Sequence, residues 1–362
     1  MANRPLNKGI LIELPDARWC LYPAPVAQFP TTQQLESQGL LQQELHEAAL
    51  ATARKTFGRA VYVRGVVEVS NYCRENCHYC GMRRSNRGLN RYRAEADYLL
   101  HMLLDERPKC ITDINIQAGE DPVAVREVVM PLVRALKAST TLGISVCLGT
   151  LSPDLTRELQ EAGASVYIIK FELANADLYR DLEAPGTLEE RTNYIRWLAA
   201  EGWEISSGFI AGLPGQRIEA TLENFRLANS LPLVGCSVSP FIPGDATPLA
   251  SSESASLDLT LNCMAALRIM RPDWVIPAVS ALNLAGPGSG YQRGLLAGAN
   301  LCTINLTPEG LREDYLLYRK DRFIMNEERI LNAIQSVGCH PSTTSLAERF
   351  ARHSPRSVLI TA

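Results

Sequence analysis

Short apolar runs alternate with helix-periodic stretches along nearly the whole chain, and no other feature limits its fold as much. The runs fall at 61–69, 111–117, 143–149, 165–171, 204–210, 233–239, 275–280 and 300–306. Between them, apolar residues take helical spacing over roughly 94–106, 122–138, 153–162, 187–201, 217–229, 258–270 and 290–298, and a last helix is predicted over 326–337. Strands alternating with helices argue for βαβ units and a parallel sheet. Eight such units spread over about 280 residues suit an α/β fold of the (β/α)8 TIM-type barrel class, typically about 250 residues long. A doubly wound open sheet is the alternative. The first 57 residues lie outside the pattern. Five prolines interrupt 1–30, and a helix is predicted over 32–57 from the spacing of Leu40, Leu41, Leu45 and Ala49. No Pro- or Ser-rich linker divides the chain. The predicted organisation is an N-terminal extension and helix (1–57), one barrel (58–340) and a C-terminal tail (341–362).

Composition narrows the function classes. Hydrophobic residues make up 46% and charged residues 21%, with a net charge of −3. This is an ordinary globular balance, and nothing global favours nucleic acid or an anionic membrane. Arg83, Arg84, Arg87, Arg91 and Arg93 form a local basic patch with Tyr92 as its one aromatic. It reads as a loop closing over a site rather than a nucleic-acid surface. No apolar run is long enough to span a bilayer, and the first residues lack a signal-peptide core, so a cytoplasmic location is expected. Of the ten cysteines, most are scattered among apolar residues, which in such a chain points to metal binding or catalysis rather than a disulfide framework.

Three cysteines are not scattered. Cys73, Cys77 and Cys80 form C-x3-C-x2-C directly after the first apolar run. Iron–sulfur clusters are held by cysteine thiolates, usually four for a four-iron cubane. Three thiolates leave one iron open, and an open position is what lets a metal centre do chemistry. In a barrel the active site lies at the C-terminal ends of the strands. Polar residues gather at those ends: Gly119, Glu120 and Asp121 after the second run, Lys170 and Glu172 at the end of the fourth, and the stretch from Gly208 to Gln216 at the fifth.

Taken together, the cysteine loop, the barrel pattern and these strand-end motifs resemble the radical S-adenosylmethionine (SAM) enzymes. The biotin-synthase-like branch is the most similar; it includes biotin synthase, the hydrogenase maturase HydE and the methylornithine synthase PylB. The phrases 69–83, 90–93, 119–122, 212–216 and 240–249 are especially like HydE. The resemblance implies a [4Fe-4S] cluster on Cys73, Cys77 and Cys80, with SAM bound at its open iron. It implies reductive cleavage of SAM to a 5′-deoxyadenosyl radical that takes hydrogen from a small-molecule substrate, and an electron donor such as flavodoxin or ferredoxin. It assigns Tyr79 to the adenine flank, Gly119 and Glu120 to the SAM amino group, Glu172 to the ribose hydroxyls and Arg191 to the SAM carboxylate. Ile210 and Gly212 fall in the adenine-backing stretch. Lys170 stands where HydE has arginine.

Other readings remain open at this stage. Three close cysteines with His78 could bind zinc, and a non-catalytic iron–sulfur or zinc scaffold is one alternative. Sulfur insertion of the lipoyl or biotin type is another. For that, biotin synthase places a second-cluster ligand where this chain has Ser145, and Ser206 stands at the next ligand position. Cys147 shares a strand face with Ser145 but lacks thiol partners. Substrate contacts are expected at the ends of the late strands, from Ser237, Ser239, Ser280, Asn283, Thr303, Asn305 and Thr307, with Cys147 facing them.

Overall fold

The computed structural model describes residues 28–320 and 323–353. Residues 1–27 of the N-terminal extension and 354–362 of the tail lie outside the described residues. Seven parallel strands form one ladder: β1 (Ala60–Ser70), β2 (Asp113–Ala118), β3 (Gly143–Cys147), β4 (Val166–Ile168), β5 (Glu204–Ala211), β6 (Gly235–Pro240) and β7 (Leu301–Asn305). Their order is β6-β5-β4-β3-β2-β1-β7, with Arg64 of β1 opposite Asp113 of β2 and Thr303 of β7. Helices follow the strands and cover the outside, as right-handed parallel crossovers require.

The run at 275–280 does not become a ladder strand, yet it occupies the place between β6 and β7. Val275 bridges Gly235, and Pro277 bridges Leu301. Backbone bonds close the ring on both sides: Cys236 N–H to Val275 O (3.2 Å), Val275 N–H to Val234 O (3.0 Å), Asn300 N–H to Ile276 O (2.9 Å) and Ala278 N–H to Leu301 O (2.8 Å). Pro277 has no N–H to give, which cuts the ladder short. The Ile276 amide instead donates to the Asn300 side chain (2.8 Å). The fold is thus the expected (β/α) barrel with a thin seam.

Two helical details depart from the sequence reading. The helix over 122–139 contains a π-helical turn at Val125–Val129 before Met130–Ser139. Pro131 cannot donate to the carbonyl four residues back, and a wider turn absorbs that loss. At the C-terminal end, a short strand β8 (His340–Pro341) pairs beneath β1, and helix Leu346–His353 follows. Leu346 and Phe350 are buried against Tyr62, Val166, Val275 and Leu301. Each such side chain contributes roughly 1.5–3 kcal/mol by leaving water. The Leu346 amide donates to both oxygens of Asp113 at 3.0 Å, so the first turn of this helix is held by β2. Together they close the lower mouth of the barrel.

Candidate active site

The cysteine loop leaves the top of β1 and is held by its own flank. Asn71, fully buried, donates from Nδ2 to the carbonyls of Asn90 and Asp314 (both 2.7 Å) and accepts from the Tyr92 amide (2.8 Å). The Arg91 guanidinium donates to the carbonyls of Asn71, Met82, Arg83 and Asn86. The basic patch is therefore partly internal: Arg91 shapes the loop, and Arg93 pairs with Asp121 at 2.7 Å. His78 faces away from the thiols. Its Nε2 lies 3.2 Å from Glu183, and its amide donates to Leu182 O. A Cys3His zinc site is not what this loop builds.

Cys73, Cys77 and Cys80 all line a pocket of about 230 Å³ at the top of the barrel. Burial, and then the neighbouring Cys73, push the Cys80 thiol up to about 12, and burial with nearby charge raises Cys73 and Cys77 as well. A cationic cluster bound by these three buried thiols would supply the charge that lets them ionise. Gly119 sits tight against the loop: a Cβ there would lie 2.2 Å from Tyr72 O and 2.8 Å from the Cys73 Cβ. The Glu120 amide donates to Cys73 Sγ at 3.4 Å.

Charge in the pocket is paired but open to exchange. Glu120, 7% exposed, accepts from Arg191 Nη2 (2.9 Å) and from Arg74 Nε and Nη2 (3.2 and 3.1 Å). Arg191, 4% exposed, also donates to Thr150 Oγ1 (3.1 Å), while its Nε is buried without a partner. A Thr187–Glu190 capping box starts helix Leu188–Ala200, and this start turns Arg191 inward. A carboxylate beside a guanidinium with a spare buried donor can receive both ends of an α-amino acid. Tyr79 OH is likewise buried, with the Cys77 thiol as its polar neighbour. Glu172 takes a left-handed backbone (φ 63°), rare for a residue with a side chain, while its N–H and C=O bond to Gly208 and Ile210 of β5. That backbone aims its carboxylate into the pocket, where burial raises its pKa and Lys170 and Arg191 oppose the rise. Ile210 lines the wall, while Gly212 (φ 76°) lies outside it and donates to Gln216 Oε1.

Below lies a second cavity of about 170 Å³, inside the barrel itself. The two share Gln117, Cys147, Ile168, Lys170, Leu317 and Tyr318 as walls. Lys170 Nζ donates to Ser239 Oγ at 3.2 Å. Ser237, Ser239, Ser280, Thr303, Asn305 and Cys147 line this lower cavity, as the sequence reading placed them. Two expected contacts do not. Thr307 is buried with its hydroxyl accepting the Glu68 amide (2.9 Å), and Asn283 is sealed off with its amide atoms unpartnered. Sequence reasoning missed the β1 and β2 residues Arg64, Glu68, Asn115 and Gln117, which supply much of the polar wall. Arg64 and Glu68 are charged residues of like parity inside an apolar run, a signal that was available. It also missed Arg74 and the roof segment 315–318.

Comparison with known proteins decides what this arrangement is. The Radical SAM superfamily description matches residues 67–228. The [FeFe] hydrogenase maturase subunit HydE of Thermotoga maritima is 35% identical over 73% of this chain and 76% of its own length. The chain belongs to the radical SAM superfamily. It is an enzyme of that superfamily, with a [4Fe-4S] cluster and SAM as its cofactors. A 3-methylornithine synthase from Methanosarcina acetivorans is 26% identical over 88% of this chain and 90% of its own. The crystal structure of methylornithine synthase (PylB) shares the fold with a TM-score of 0.78 at 23% identity, covering 88% of this chain and 94% of that one. HydG from Carboxydothermus hydrogenoformans does so at 0.76 and 19%, covering 92% and 80%. Among the described residues, no helix is long and apolar enough to cross a membrane.

Proposed function

We propose that this radical SAM enzyme acts on a small amino-acid-derived compound held in the lower cavity. The reaction class is that of its HydE- and PylB-like relatives: rearrangement, side-chain cleavage or a step in metallocofactor assembly. One observation carries the reading. The cavity that holds the thiols and the cavity inside the barrel meet at Lys170, Cys147 and Gln117. When bound, the cluster and SAM would supply the hydrogen-abstracting radical chemistry.

The chain's own residues divide the remaining work. Cys73, Cys77 and Cys80 hold three irons. Glu120 accepts from the SAM ammonium, Arg191 donates to its carboxylate, and the exchange costs little because each end of the Glu120–Arg191 pair keeps a charged partner. Glu172 receives the ribose hydroxyls; Tyr79 and Ile210 flank the adenine. Lys170 and Arg64 give the lower cavity positive groups and Glu68 a negative one, a set that suits a zwitterion. The roof from Tyr315 to Tyr318 excludes water from the junction. Sulfur insertion has less support: Ser145 is spent on Ile114 O and Asn115 Oδ1, and among the described residues no second thiol joins Cys147 on the lower-cavity wall. A low-potential donor of the flavodoxin or ferredoxin kind, in a reducing cytoplasm, completes the scheme.

The test is anaerobic reconstitution with iron and sulfide, reduction with dithionite, and chromatography for 5′-deoxyadenosine. The wild type releases it from SAM, and Cys80→Ala does not. Small carboxylate-bearing amines that fit the lower cavity accelerate its release. A reconstituted protein that binds iron yet leaves SAM intact would overturn the reading.

A further inference from the structure

Cys147 stands apart from the other thiols in this fold. Cys236, Cys263 and Cys302 are fully buried in the packed core, and neither Cys110 nor Cys339 lines either cavity. Outside the cluster loop, Cys147 is the one described cysteine on a cavity wall, and it is on both. It ends β3 opposite Gln117 of β2, so its side chain points inward at the level where the two cavities join. Among the described residues, no hydrogen bond ties its Sγ. The two cavities are built for ligands: above, the buried Arg191 Nε has no partner, and below, Arg64 Nε and Asn305 Nδ2 are buried and unpartnered. Burial keeps the Cys147 thiol in its S–H form, with Lys170 the chief opposing charge.

An S–H bond is weaker than the C–H bonds of aliphatic substrates, so a thiol at this junction readily gives a hydrogen atom to a carbon radical. Resting on the proposed function, we infer that Cys147 is a catalytic residue that returns a hydrogen atom to the substrate-derived radical after rearrangement or cleavage. The Cys147 S–H bond breaks homolytically, a C–H bond forms on the product, and a thiyl radical remains on Sγ. One electron from the low-potential donor that also serves the cluster, with one proton, restores the thiol. Each turnover then consumes one SAM and two electrons. 5′-Deoxyadenosine leaves as a product rather than giving its hydrogen back.

The same thiol quenches the adenosyl radical when the lower cavity is empty, which allows a test with SAM alone. Reconstituted enzyme is exchanged into D2O, reduced, and given SAM without substrate; the 5′-deoxyadenosine is then analysed by mass spectrometry. Wild-type enzyme yields nucleoside carrying deuterium from the exchanged thiol. Cys147→Ala and Cys147→Ser yield it without that label, while Cys339→Ala, which removes a thiol that lines neither cavity, keeps it. A second readout, the change SAM makes in the electron paramagnetic resonance spectrum of the reduced cluster, is the same in all four proteins, showing intact cofactor binding. Equal label in Cys147→Ala and wild type, or no label in the wild type, overturns the role of Cys147 while leaving the radical reading intact. No 5′-deoxyadenosine at all would sink that reading and this inference together.

Discussion

At the scale of single residues, the upper pocket turns on one carboxylate that answers to two arginines. Glu120 is nearly buried, Arg191 is nearly buried, and Arg74 is half in solvent. Coulomb attraction is therefore strong on the Arg191 side and screened on the Arg74 side. Glu120→Gln keeps the shape but removes the charge that meets an ammonium group. Loss of a charged hydrogen bond of about 1.5–3 kcal/mol corresponds to a roughly tenfold to hundredfold weaker Kd. Isothermal titration with SAM checks it; unchanged affinity would remove Glu120 from the amino-group role, and iron content per chain should stay constant. Glu120 was legible before the fold because it follows an apolar run at a strand end, as were Lys170, Glu172 and Arg191 by resemblance. Arg74 was not. Its neighbours in sequence are Cys73 and Glu75, and only the fold brings β2 and Thr150 to it, through a 2.6 Å bond to the Thr150 carbonyl. Contacts across 46 and 76 positions leave no local trace in composition or period.

At the scale of elements, the tops of β1 and β2 are clipped by side chains as well as by the ladder. Ser70 Oγ donates to Asp121 at 2.8 Å, and the Arg93 guanidinium reaches both Asp121 oxygens at 2.7 and 3.0 Å. Burial pushes the Asp121 pKa up, but Arg93 and Ser70 pull harder, and it settles below the usual carboxylate range. A carboxylate lowered in this way stabilises the fold above its unfolded pKa of about 3.9, and that stability is lost as pH falls through the folded value. Urea unfolding of cluster-free protein between pH 6 and about 3 should show this loss. Asp121→Asn should show a shallower acid limb; an identical limb would mean that the clip does not contribute. Elements were mostly visible in the sequence because apolar runs and helical spacing are local. The seam was misread as a full strand at 275–280 because Val275, Ile276 and Val279 supply strand-like bulk. Pro277, which withholds the ladder's donor, is the residue that overrides them.

For the whole molecule, the ring is uneven. β1 pairs along its length with β2 and β7, whereas 275–278 is held by single bridges on each side. Local opening follows the weakest packing of backbone bonds, so the amides of Val275 and Ala278 should exchange with deuterium before those of Val67 and Val69. Native-state exchange read by mass spectrometry tests this; equal protection would show the seam to be as firm as the rest. The lower mouth has a longer reach. Leu346 and Phe350 stopper the barrel from beneath, and the interior chamber meets the upper pocket at its other end. A ligand that enters past the upper pocket must arrive before that pocket fills and depart after it empties. Kinetics should therefore show a compulsory queue, with a SAM analogue added first delaying the second ligand, and a random order of arrival would mean that the stopper swings aside.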